Sequence, residues 1–183
     1  MRWLLHTLIC LCAVPFAAMA IDLAPVKING LDKKLEAHVR SAIALPEDTG
    51  KTLQITEGRL SYYMGSLDAL VEDSLEPMGF YDVRVDSRLV RNGDTAQIII
   101  DIELGEPVRV RQSDLRVDGP GANDRIIGFW LEGFEPSVGD VFEHSIYEAS
   151  KADITQALLD RGYFDQNLSE HEVKVTRASH SAD

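Results

Sequence analysis

Apolar and polar positions alternate in some stretches of this chain and recur every three or four residues in others. Val26 and Ile28 alternate with polar neighbours and stop at Asn29-Gly30, which predicts a short strand and a turn. From there the period lengthens. Leu35, Val39, Ala42 and Ile43 share one stripe of a helix that Asp32 can cap and that runs through Leu45, until residues 46–50 break it. A second helix is predicted from Glu57 to Met78, with Leu60, Met64, Leu67, Val71, Leu75 and Met78 on one face. Gly79 can take the left-handed turn that ends it. Tyr81, Val83 and Val85 then alternate with charges, Asn92-Gly93-Asp94 reads as a hairpin turn, and Ile98, Ile100, Ile102 and Leu104 alternate again. The order is strand, helix, helix, strand, strand.

The pattern then repeats. Leu75-Glu-Pro-Met-Gly79-Phe80-Tyr81-Asp82 matches Leu158-Leu-Asp-Arg-Gly162-Tyr163-Phe164-Asp165 at an offset of 83, and Val26-Lys-Ile28-Asn-Gly30 echoes Leu115-Arg-Val117-Asp-Gly119 at 89. The second copy reads as a strand over 108–118, a turn at Asp118–Gly121 and a short helix marked by Ile126, Ile127, Trp130 and Leu131. After a loop at 133–140 comes a longer helix, marked by Ile146, Ala149, Ile154, Ala157 and Leu158 and ended by Gly162, and a strand over 163–176. By the spacing of the first copy, the last strand should begin near residue 178, where six residues remain. The expected fold class is therefore α+β: two tandem modules of β-α-α-β-β order, the second lacking its last strand. Losing several buried branched side chains, at about 1.5–3 kcal/mol each, rivals the whole stability of a small domain. The first module is expected to fold alone and the second to be partly molten.

Residues 1–20 stand apart. Arg2, the apolar run from Trp3 to Phe16 and the small-x-small pattern Ala18-Met19-Ala20 read as a secretory signal peptide cleaved near Ala20. The alternative, an uncleaved anchor, is disfavoured by an apolar stretch shorter than the roughly 20 residues that span a bilayer. The expected divisions are thus 1–20, 21–106 and 107–183. Cys10 and Cys12 would leave with the leader, so the mature chain would have no disulfide, thiolate metal site or cysteine nucleophile. The whole chain carries 18 basic and 30 acidic residues, a formal charge of −12. Such a surplus repels phosphates and argues against nucleic acid as a partner.

No nucleophile elbow, phosphate loop or dinucleotide fingerprint occurs, and His38, His144, His171 and His180 have no ligand spacing with a third partner. Asn167-Leu168-Ser169 fits a glycosylation sequon, of consequence only in a eukaryotic secretory route. No catalytic, cofactor-binding or metal residue is expected, nor a small-molecule substrate. Gly79, Phe80 and Tyr81, and their counterparts Gly162, Tyr163 and Phe164, are expected to form structural helix-to-strand turns, the glycine allowing the turn and the rings filling the junction.

The stretches that carry a resemblance are Val26-Lys-Ile-Asn-Gly-Leu31, Gly79-Phe-Tyr81, Leu104-Gly-Glu-Pro-Val-Arg109, Pro136-Ser-Val-Gly139, Tyr147-Glu-Ala-Ser-Lys151 and Leu158 to Asp165. Together they resemble the polypeptide-transport-associated (POTRA) domains that precede outer-membrane barrels of the Omp85 superfamily, most of all the N-terminal region of the TamA family, over about 25–177. The resemblance implies a non-catalytic, periplasmic role in outer-membrane protein or autotransporter assembly, associated with the outer membrane if part of a longer protein. It implies as partners a TamB-like inner-membrane-anchored protein and outer-membrane or autotransporter client polypeptides. It also places the strand after the second helix at a sheet edge. There Val83, Arg84, Val85, Asp86 and Ser87 are the candidate partner-binding residues, by strand addition. TamA-like proteins carry further POTRA sequence and a barrel, which this sequence does not reach, so a fragment or truncated product is expected and insertase activity is in doubt. The alternative is a stand-alone periplasmic binding or adaptor protein.

Overall fold

The computed structural model describes residues 20–44, 52–167 and 172–183. Positions 1–19 of the expected leader with its two cysteines, the break at 46–50, sequon positions Leu168 and Ser169, and His171 lie outside the described residues.

The first sheet has five strands: β1 (Ala20–Leu23), β2 (Lys27–Asn29), β3 (Leu53–Thr56), β4 (Arg84–Asn92) and β5 (Thr95–Glu103). β5 is its axis, antiparallel to β4 on one side and parallel to β1 and β2 on the other. β1 and β2 form one interrupted strand. Asp22 stands opposite Thr95 and Lys27 opposite Ile99, five steps against four, so the segment containing Pro25 holds a one-residue bulge. The sequence reading finds neither β1 nor β3, which pair antiparallel with each other. Each is four residues long, and β3 buries only Ile55, too little to show a period. β1 takes in Ala20, the residue at which cleavage is expected.

Two helices cover one face of this sheet: α1 (Lys33–Ile43) and α2 (Glu57–Leu75), the latter continued by a 3₁₀ turn at Glu76–Met78. Asp32 caps α1 as expected, its carboxylate accepting from the Leu35 amide at 2.9 Å. Leu35, Val39 and Ile43 of α1 and Leu60, Leu67, Val71 and Leu75 of α2 pack on Ala96, Ile98, Ile100 and Ile102 of β5. All of them are buried. The other face of the sheet is polar. Asn29 donates to Asp101 at 2.7 Å, and Arg88 pairs with the same carboxylate.

The second half repeats this order at reduced size: β6 (Arg109–Val110), α3 (Arg125–Glu132), α4 (His144–Asp160), β7 (Val175–Thr176) and β8 (Ser181–Ala182). β8 is central, parallel to β6 and antiparallel to β7, as β5 is to β2 and β4. The final strand that the sequence reading finds missing is thus represented by two residues, both buried. This shortness also limits its neighbours. Of the expected strand 108–118 only two residues form ladder pairs, and residues 111–116 are exposed; among the described residues of the expected strand 163–176, only β7 is a strand. The core here is small: Val108, Val110, Phe142 and Ala182, with Tyr147, Val173, Val175 and Tyr81 against them.

The helix ends are copied bond for bond. Gly79 N–H donates to Glu76 O at 2.9 Å and Phe80 N–H to Leu75 O at 3.2 Å; Gly162 N–H donates to Leu159 O at 2.9 Å and Tyr163 N–H to Leu158 O at 3.0 Å. Both are Schellman closures with the glycine at positive φ, +90° and +88°.

Candidate protein-binding surfaces

β4 forms one edge of the first sheet: among the described residues its only ladder partner is β5. Which β4 groups face out follows from the other side of β5. Ala96 accepts from the Ala24 amide at 2.8 Å, so even-numbered residues of β5 turn their backbone towards β1 and β2. Val85 and Ser87 stand opposite Ile102 and Ile100, both even. They are therefore non-hydrogen-bonded pairs, and the N–H and C=O of Val85 and Ser87 point to the open edge. Val83 and Val85 pack on the core, and Ser87 is half-buried. Arg84, Asp86 and Arg88 are exposed, alternating in sign along the strand. Such charges blunt indiscriminate pairing without removing the free donors and acceptors. Arg84, Val85, Asp86 and Ser87 thus lie on this edge strand, and Val83 immediately precedes it.

The six turn residues split into two different corners. In the first, Phe80 packs on the first core, whereas Tyr81, the next residue, packs on the second. The Tyr81 hydroxyl is 2.9 Å from His144 Nε2, and the Arg177 guanidinium lies over its ring at 5.5 Å. Burial, together with the nearby Glu76 charge, raises the Tyr81 phenol above its ordinary value, and Arg177 partly opposes this. Gly79 also serves both halves, since its carbonyl accepts from the Val108 amide at 2.8 Å. Further pairs bind the halves together: Lys34 with Glu143 at 2.9 Å, Arg177 with Glu76 at 2.6 Å, and His180 with Asp82 at 2.9 Å. The expected role of these residues, bulk at a helix-to-strand junction, therefore extends in the first corner to joining the two halves.

In the second corner, Tyr163 is half-buried and its hydroxyl donates to Asp124 at 3.3 Å. Asp124 also caps α3, accepting from Ile126 at 2.9 Å, and pairs with Arg161 at 2.8 Å. The bond from Arg161, then that from the Ile126 amide, holds its carboxyl below the ordinary range. Phe164, the counterpart of Tyr81, is 76% exposed.

His144 and His180 are spent on these contacts between halves, and His38 Nε2–H donates to Ser74 O at 2.8 Å. Among the described residues no three of His, Cys, Asp and Glu group as a metal site, and no helix is long and apolar enough to cross a membrane.

Residues 25–104 match the family described as "POTRA domain TamA domain 1". The first module is a POTRA domain. Solved structures of like fold include the Haemophilus influenzae BamA POTRA3-5, at 19% identity and TM-score 0.40, covering 89% of this chain and 59% of that one. The POTRA1-2 portion of the periplasmic domain of Omp85 from Anabaena aligns at 15% identity and TM-score 0.42, covering 89% of this chain and 92% of that one. This chain thus spans under two thirds of the BamA fragment. The POTRA match stops at the end of β5; the second half shares a strand order and a helix closure with the first.

Sequence reasoning missed the polar pairs between the halves. Their partners are separated by 63 to 109 positions, and each is an ordinary surface charge or histidine in isolation.

Proposed function

We propose that this chain is the N-terminal, periplasmic interaction region of an outer-membrane assembly factor of the TamA type. It binds polypeptide and performs no chemistry. The observation that carries this is the conjunction of a POTRA domain over 25–104 with a β4 edge whose Val85 and Ser87 backbone groups face outward. An extended client segment, or a strand of a TamB-like inner-membrane-anchored partner, adds to that edge at residues 83–87. Main-chain bonds supply affinity, and the alternating Arg84 and Asp86 select among partners. The clients are unfolded outer-membrane or autotransporter polypeptides, which present strands of alternating pattern. The leader directs export and is cleaved near Ala20, leaving the product in the periplasm.

The test uses a photo-crosslinker at Asp86 in exported chain, with and without Val85→Pro. Proline removes one outward donor and leaves the bonds to β5 intact. Loss of partner crosslinks, with an unchanged circular dichroism spectrum, is the expected result. Undiminished crosslinking would remove this edge as the site.

A further inference from the structure

Glu57 of α2 pairs with Arg91 of β4, and this contact fixes which stripe of the helix lies along the edge strand. A helix returns to nearly the same azimuth after about seven and about eleven residues, so Met64 and Asp68 share that stripe with Glu57. The other flank of α2 faces α1, where His38 Nε2–H donates to Ser74 O at 2.8 Å. The stripe and the strand run in opposite directions. The chain leaves α2 through Glu76–Met78 and enters β4 at Arg84, while Glu57 at the far end meets Arg91. At about 1.5 Å per helical residue and about 3.3 Å per strand residue, Asp68 stands level with residues 86–87.

Ser87 belongs to the inward row of β4, between Val85 and Leu89, which pack on the core. Met64 packs on the same core. Asp68, in the same stripe, is half-buried, and its Oδ1 is sealed from solvent with no hydrogen-bond donor among the described residues. Nearly all such buried acceptors in proteins are paired, because one that has lost its water without gaining a donor is destabilising. Two neighbouring acids differ from it: Glu57 is paired with Arg91, and Asp101 with Arg88.

The geometry points to Asp68 as the residue that selects the strand added at the β4 edge: its carboxylate takes the ammonium or guanidinium of a Lys or Arg at an inward position of that strand. This rests on strand addition at β4 and names what the edge prefers. An added strand lies about 4.8 Å beyond β4, and its inward side chains come up against this flank of α2. Apolar side chains there meet Val85, Leu89 and Met64, and a basic one meets Asp68 through a charge-assisted bond. The formal charge of −12 on the chain favours the approach of such a segment.

The probe is a synthetic peptide of alternating Thr and Val with Lys at the central Val position. A second peptide carries uncharged norleucine there, and a third carries Glu. Each is titrated against the full chain by fluorescence anisotropy, and hydrogen exchange by mass spectrometry locates it. The expected result is new protection over 84–92, with the Lys peptide bound about tenfold more tightly than the norleucine peptide. In Asp68→Asn the two should bind equally, and in Asp68→Lys the Glu peptide should bind more tightly than the Lys peptide. Asp73→Asn, exposed on another face of α2, removes the same charge and should keep the native preference. Equal affinities in the native chain, or a Lys preference that survives Asp68→Asn, would overturn the role of Asp68 and leave strand addition standing. Protection absent from 84–92, or binding untouched by Val85→Pro, would overturn both.

Discussion

A Cβ placed on Gly79 would stand 2.7 Å from Val141 Cγ1, and also 3.1 Å from the Phe142 carbonyl oxygen. One placed on Gly162 would meet nothing within 4 Å, although the two glycines share their φ and their hydrogen bonds. Both alanine variants carry the left-handed penalty of roughly 1–2 kcal/mol. Gly79→Ala adds the displacement of Val141, about 1–3 kcal/mol by comparison with overpacked cores. Urea unfolding should show the larger loss at Gly79, with the second half loosening first. Equal losses would contradict the assignment of Gly79 to the contact between halves.

Tyr81 makes that contact sensitive to alkali. Its folded pKa is raised above the ordinary phenol value of 10.0. The stabilisation is therefore fully present below that value and is lost as pH rises through the higher folded one. Thermal melts from about pH 8 to about pH 11 should show the second half weakening at the alkaline end. Tyr81→Phe should lower stability at neutral pH, through loss of the His144 bond, and flatten that alkaline limb.

Asp124 gives the opposite dependence. Its folded pKa lies below the ordinary 3.8, so its contribution is present above that value and disappears as pH falls through the lower one. Asp124→Asn keeps an acceptor for the Ile126 amide and loses the ion pair with Arg161; Asp124→Ala loses both. Amide exchange in α3 should be fastest in the alanine variant, intermediate in asparagine and slowest in the native chain above pH 4. An alanine variant as protected as the native chain would refute the cap.

Truncations at equivalent depth should differ between halves. Ile100 is fully buried in a closed core, so Ile100→Ala should cost about 2–5 kcal/mol. Leu158 is only half-buried, and Leu158→Ala should cost less, about 1–2 kcal/mol. The measurement is the denaturant midpoint of each variant.

These contrasts mark where the sequence was readable. α1, α2 and the β4–β5 hairpin carry strong periods, a capping Asp32 and an Asn-Gly turn, and each of those local rules agrees with the packing. The Leu75–Asp82 and Leu158–Asp165 echo disclosed the duplicated helix closure. The strand 108–118 misled because Val108, Val110, Leu115 and Val117 look strand-like wherever they occur, while ladder pairing depends on a partner that here is two residues long. Tyr81 and Phe164 were equivalent in sequence, and only the arrival of Phe142 and His144 beside one of them separated a joint from an exposed ring. The outward face of Val85 depended on the register with Ile102, which alternation alone does not fix.

Native-state hydrogen exchange on the whole chain tests the central claim, one closed copy and one open copy of a single unit. The amides of Ile98 to Ile102 should exchange only with global unfolding, while those of Val110, Lys174 and Asp183 exchange orders of magnitude faster through local opening. Equal protection at the two centres would contradict it.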